Sequence, residues 1–207
     1  MKKMLPAVTR LIVLACVVLT ISNAFGQIAI PYTENFGSMN TANVLPTVAG
    51  GNWIRTGSTS LQPSYIVNQA SWNRFGDGDT KFLSFRYGNT AGNAFIVGPF
   101  LMSSGVNYTL SIRYVTDGLS GHGPLQITSG TTNTLAGQNN VVATIPANII
   151  NTTYQTLTGV FTPVSTGSFY FGIKLTNTSS PWYVSVDNFT LTAPCSGTPN
   201  TPTITGP

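Results

Sequence analysis

Residues 108–115 alternate without a break, and nowhere after Gln27 does the chain offer the competing helical pattern. Tyr108, Leu110, Ile112 and Tyr114 face one way while Thr109, Ser111 and Arg113 face the other, the two-residue period of a half-buried strand. No run of eleven residues carries apolar positions at i, i+3, i+4 and i+7 with good helix formers between them. Residues 81–87 alternate imperfectly because Phe82 and Leu83 are adjacent, and 94–100 is almost continuously apolar. Further β-branched and aromatic runs fall at 125–128, 141–145, 154–161, 168–176 and 182–192. Gly88-Asn89, Ser104-Gly105, Asp117-Gly118 and Ser129-Gly130 supply turns between them. Many short strands with no helix to cover a sheet leave one economical solution. Two antiparallel sheets must cover each other, so the expected fold is an all-β sandwich of two sheets.

The first 26 residues stand apart from this pattern. Lys2, Lys3 and Arg10 precede or flank an apolar run over 11–21, and Ala24-Phe25-Gly26 places small residues before Gln27. This is the layout of a secretory signal peptide, expected to end at Gly26. Leu14-Ala15-Cys16 has the look of a lipidation site, but the apolar run continues through 17–21, which favours cleavage after Gly26. Eleven apolar residues are too few to span a bilayer, which needs about 20. The chain is therefore expected to be exported through the periplasm and to be secreted or held at the cell surface.

Removing the leader also removes most of the positive charge. Arg55, Arg74, Lys81, Arg86, Arg113 and Lys174 face Glu34, Asp77, Asp79, Asp117 and Asp187, a net charge of +1 after Gly26. That balance gives no footprint for nucleic acid or an anionic membrane. Residues 27–193 suit one domain, long enough to bury a core without disulfides. Pro194, Pro199, Pro202 and Pro207 lie in a Ser/Thr/Gly-rich stretch, so 194–207 reads as a linker to a further module. Cys195 is the one cysteine left after the leader, and its expected disulfide partner lies beyond Pro207.

Reactive chemistry is sparse. His122 is the one histidine, set between Gly121 and Gly123, and reads as a solvated loop residue; no G-x-S-x-G elbow accompanies it. One histidine and one distant cysteine cannot build a zinc site. Asp77 and Asp79, with Asp117, are the acids a glycosidase would have to use, but glycines beside the first two leave them in a mobile turn rather than a fixed acid–base pair. The chain is expected not to be an enzyme. Trp53 and Trp182 belong to apolar strands and read as core. Trp72 sits in the polar segment 70–76, where its ring either packs in the loop or is offered to a ligand beside Arg74; these two are the candidate ligand contacts. Glu34 near the first strand and Asp187 in the last are the candidate calcium ligands, since terminal strands of a sandwich often lie side by side and calcium takes carboxylates from strand ends.

Several segments in order resemble a known family. Pro31-Tyr32-Thr33-Glu34-Asn35-Phe36, then Leu45-Pro46, then Trp53, is similar to the opening of the cleaved-adhesin or choice-of-anchor J domains, MAM-like jelly rolls of exported Bacteroidetes proteins. Residues 182–191 resemble that family's last strand, and 95–100 and 107–111 its central strands. The likeness spans nearly all of 28–193. It implies an adhesion or binding module in a larger, type IX-secreted protein, with Ig-like modules downstream of Pro194-Cys195. It also implies a glycan or surface-protein ligand and, in several members, structural calcium. Glu34 and Asp187 match acidic positions of the pattern, whereas Gly37 and Ser185 stand where further acids are frequent. A polysaccharide-binding module and a structural spacer are the alternatives.

Overall fold

The computed structural model describes residues 26–39, 44–57, 64–67, 81–86, 92–118, 121–176 and 183–194. Within them lie twelve strands and no helix: β1 (Tyr32–Glu34), β2 (Thr47–Val48), β3 (Gly51–Thr56), β4 (Ser64–Val67), β5 (Phe82–Arg86), β6 (Asn93–Met102), β7 (Tyr108–Thr116), β8 (Leu125–Gly130), β9 (Asn140–Ile145), β10 (Gln155–Phe161), β11 (Gly167–Leu175) and β12 (Tyr183–Thr192). One sheet runs β2-β3-β6-β11-β8-β9 and the other β10-β7-β12-β5-β4, with every pairing antiparallel. The sequence expectation of a jelly-roll sandwich holds, and each apolar run named above forms a strand. The additional strand β4 has only four residues, too few for its period to declare itself.

β12 organises its sheet because it is long enough to take two partners along one edge. Its first half, Tyr183–Val186, pairs with β5, and its second half, Phe189–Leu191, pairs with β1; β7 lines the other edge. A register shift between Asp187 and Thr190, with Asn188 at φ 48°, separates the halves. The extra residue resets the alternation, so Val184 and Val186 before it and Phe189 and Leu191 after it all enter the core.

The core follows the sequence pattern where one face is solvated. In β7, Tyr108, Leu110, Ile112 and Tyr114 are buried in the sandwich, while Thr109 stays exposed. The imperfect alternation of β5 has a different cause, since both of its faces are covered. Leu83 and Phe85 join the core, and Phe82 and Ser84 are equally buried on the reverse face. β6 is also doubly covered, with Phe95 and Val97 inward and Ala94 and Ile96 buried behind them.

Aromatic rings bridge the two sheets in one continuous series: Phe36, Trp53, Phe189, Tyr32, Phe100, Phe171, Phe161 and Phe169. Successive centroids are 5.1–6.1 Å apart, mostly in edge or tilted arrangements. Each such pair contributes about 0.5–1.5 kcal/mol beyond the burial of its surface.

The last strands of the two sheets, β9 and β10, close one side of the sandwich without pairing. They touch at Gly159, where a Cβ would lie 2.8 Å from Ala143 Cβ and 2.9 Å from the Val142 carbonyl oxygen. Only a residue without a side chain lets the edges meet there. Beyond Gly159 they part.

Candidate ligand-binding cleft

Trp72 and Arg74, the ligand contacts expected from the sequence, lie outside the described residues, as do Asp77, Asp79, Trp182 and Cys195. Trp53 is a core residue, as its strand pattern implies.

Glu34 and Asp187 fall on neighbouring strands. Glu34 stands opposite Phe189 across the β1–β12 pair, so it shares that residue's inward face. Both oxygens of Glu34 accept hydrogen bonds: Oε1 from the Phe36 backbone N–H at 2.7 Å and Oε2 from the Tyr32 hydroxyl at 3.3 Å. The Tyr32 oxygen in turn accepts the Trp53 indole N–H at 2.9 Å. Burial above all, with the neighbouring carboxylate adding to it and the Trp53 hydrogen bond opposing it, pushes the Tyr32 phenol well above its usual range, so it donates at any physiological pH. Asp187 follows inward-facing Val186 and therefore points to the reverse face of the sheet. It is buried there opposite Arg113, and its Oδ1 accepts the Asn188 backbone N–H at 2.7 Å. The two acids thus sit on opposite faces of one sheet, each already holding a backbone amide. Among the described residues no three acids, histidines or cysteines converge as a metal site. So placed, Glu34 and Asp187 do not fit a shared calcium ion.

His122 corrects the sequence reading. It is 1 % exposed rather than solvated. Its backbone N–H and carbonyl exchange hydrogen bonds with Ile149, which draws the Gly-flanked segment against the sandwich. Its Nε2 lies 3.4 Å from Asp117 Oδ1, with both side chains fully buried. Burial lowers the imidazole pKa and outweighs the opposing effect of Asp117. Among the described residues Nδ1 has no hydrogen-bond partner, so a second proton would create a buried donor with none of them to receive it. The pair holds the end of β7 to the following loop.

A cleft of about 630 Å³ opens where β9 and β10 separate. One wall is the loop between β8 and β9, including Thr131, Thr132, Gly137 and Asn139, and continues into Asn140–Val142. The other is Val160, Phe161, Thr162 and Val164, and Phe169 of β11 also lines the space. Among the described residues that line it, none is ionisable. The first wall is fixed from beneath by buried Gln138. Its Oε1 lies 3.1 Å from the Thr128 hydroxyl, which also reaches the Gly172 carbonyl at 3.2 Å, and its Nε2 donates to the Thr132 carbonyl at 3.0 Å. Gly172 leaves room for this anchor, since a Cβ there would come within 2.6 Å of Thr128 Oγ1 and 2.9 Å of Gln138 Oε1. The second wall is tied to the β6–β7 turn: Thr162 donates to Asn107 Oδ1 at 2.6 Å, and Ser104 donates to the Val164 carbonyl at 2.9 Å. Sequence reasoning missed this cleft, because 129–140 reads as an ordinary Thr/Asn/Gly turn and the facing valines lie about twenty residues away.

No known family profile matches this chain, and no curated protein sequence does. Solved structures do. The K1 cleaved adhesin domain of Lys-gingipain from Porphyromonas gingivalis W83 superposes with a TM-score of 0.54 at 13 % identity, covering 80 % of this chain and 99 % of that domain. The K2 cleaved adhesin domain of Lys-gingipain gives 0.57 at 18 %, over 79 % and 98 %. The CBM22-1 xylan-binding domain of Paenibacillus barcinonensis Xyn10C gives 0.50 at 14 %, over 78 % and 92 %. At these identities the likeness is one of fold, and the fold is that of the cleaved adhesin domains.

Two predictions follow from the buried polar groups. A histidine whose folded pKa is lowered from 6.5 leaves the unfolded chain binding more protons as the pH falls through that value. The stabilisation is complete above it and declines towards acid, so the urea midpoint should fall between about pH 7 and pH 5. In His122→Asn that decline should flatten; an unchanged pH profile would show that His122 is not responsible. For Asp187→Ala, loss of a buried acceptor should destabilise by about 1–3 kcal/mol. Thermal melts should show the same loss in calcium and in chelator, whereas a loss confined to calcium would make Asp187 a ligand.

Proposed function

We propose that this chain is a non-catalytic binding module of the adhesin kind, carried by a larger exported protein. The observation that carries the reading is the extent of the likeness: two cleaved adhesin domains are matched over 98–99 % of their own length, at TM-scores of 0.54 and 0.57. The leader-like start and the Pro/Thr-rich stretch from Pro194 support export and a place beside further modules, such as Ig-like repeats, in one polypeptide at the cell surface or outside the cell.

A second reading, a carbohydrate-binding module, is favoured by a specific feature. The cleft beside β9 and β10 combines hydroxyl, carboxamide and apolar groups without charge, the mixture that recognises neutral polyols. The fold likeness to a xylan-binding domain agrees with it. Trp72 and Arg74, in the polar segment 70–76, remain candidate contacts in this reading.

The test is retardation of the full chain in native gels containing neutral and acidic polysaccharides, with reducing ends assayed in parallel. Retardation by at least one polysaccharide, without release of reducing ends, is the expected result. Release of reducing ends would make the chain an enzyme. No retardation would withdraw the carbohydrate reading and leave adhesion to proteins to be tested by capture on cell-surface extracts.

A further inference from the structure

We propose that the uncharged cleft between the β8–β9 loop and the β10–β11 turn is the seat of a neutral carbohydrate chain, with Asn139 and Asn140 meeting its hydroxyls and Val160 and Val164 its C–H face. The inference rests on the binding-module reading and adds to it a place and a ligand chemistry.

Exposed apolar surface is concentrated here. Of the six large hydrophobic side chains exposed among the described residues, three line this one cleft: Val141 at 48 %, Val160 at 56 % and Val164 at 96 %. Clustering of that kind marks a surface meant to be covered. The covering group must be neutral, because no lining side chain could balance a charge taken out of water. It must also carry groups that both donate and accept. Asn139 and Asn140 are both exposed and line the cleft, and Asn140 donates through Nδ2 to Ser129 at 2.8 Å, a bond that does not use its carbonyl oxygen. A carboxamide both donates and accepts, as does a sugar hydroxyl.

An extended peptide fits less well. Strand addition needs an open edge of backbone donors and acceptors. Here the two available edges, β9 and β10, block each other at Gly159, where Val142 and Ala143 lie against it. What remains beyond that contact is a cleft walled by the end residues of β9 and β10 and by the loops that continue them. Its walls are held before any ligand arrives, by buried Gln138 on one side and by the Asn107–Thr162 and Ser104–Val164 hydrogen bonds on the other. Little ordering is then needed on binding, which favours recognition of a weakly held ligand.

The experiment is a nuclear magnetic resonance titration of the isotope-labelled full chain with four probes: xylohexaose, mannohexaose, oligogalacturonate and an uncharged threonine–valine hexapeptide. A neutral hexaose should shift the backbone amides of Thr131, Asn139, Asn140, Val160 and Val164, while the charged oligomer and the peptide leave them in place. Asn139→Ala, an exposed substitution that spares the fold, should weaken the response about three- to tenfold. Val160→Asp, also at an exposed position, should abolish it. Binding of a hexaose with shifts confined to other parts of the domain would overturn the site while sparing the binding-module reading. Shifts at the cleft with the peptide alone, or with none of the probes, would overturn the carbohydrate assignment.

Discussion

The carboxylate of Glu34 adds polar bonds to three parts of the chain that strand pairing and core packing already bring together. Its Oε1 takes the N–H of Phe36 and so closes a turn in which Phe36 adopts φ 58°, a conformation that a bulky side chain rarely takes unaided. That turn drives the Phe36 ring into the core against the edge of Trp53, 5.3 Å away. Its Oε2 takes the Tyr32 proton, and Tyr32 receives the indole N–H of Trp53 from the opposite sheet. Trp53 then stands edge-on to Phe189 of β12 at 5.4 Å. One half-buried acid thereby helps to join the first strand, the last strand and the facing sheet.

The remaining architecture extends sideways from this clasp. Tyr32, Leu191, Leu110 and Gly159 are successive register partners across β1, β12, β7 and β10. The row spans three strand spacings, about 14 Å. At one end Tyr32 fastens the sheets together; at the other Gly159 lets them touch and then diverge. The series of aromatic rings follows the same course through the interior, from Phe36 to Phe169 at the wall of the cleft. A sandwich whose terminal strands are locked gives its loops a fixed base. The loops are then free to vary in ligand chemistry without disturbing the core.

The strands were legible because their side chains obey a simple period. Residues 108–114 alternate in the sequence and alternate in burial, and the apolar 94–100 run is continuous because β6 is covered on both faces. The segments around Glu34, Phe36 and Trp53 were legible as a pattern, but their meaning was not. An acid near a strand end suggests a cation, whereas the actual partners of Glu34 are an N–H two residues on and a hydroxyl two residues back, set by a backbone angle that composition does not announce. His122 misled for a similar reason. Flanking glycines suggest a solvated loop, but its backbone pairing with Ile149, 27 residues later, carries it inside. The cleft was illegible because its walls are remote in sequence and individually ordinary. Only the divergence of β9 and β10 beyond Gly159 gives their hydroxyls, amides and valines a common space.

If the clasp is the constraint on which this arrangement depends, its members must act as a unit. A double-mutant cycle between Tyr32→Phe and Glu34→Gln, measured by urea unfolding, tests this directly. Tyr32→Phe removes the hydroxyl and Glu34→Gln replaces one acceptor oxygen by an amide donor, so each disrupts this half-buried chain of hydrogen bonds and should destabilise by about 1–3 kcal/mol. The pair together should lose less than the sum, with a coupling of at least about 0.5 kcal/mol. Strictly additive losses, or single losses within about 0.5 kcal/mol of zero as for an ordinary surface site, would contradict the account.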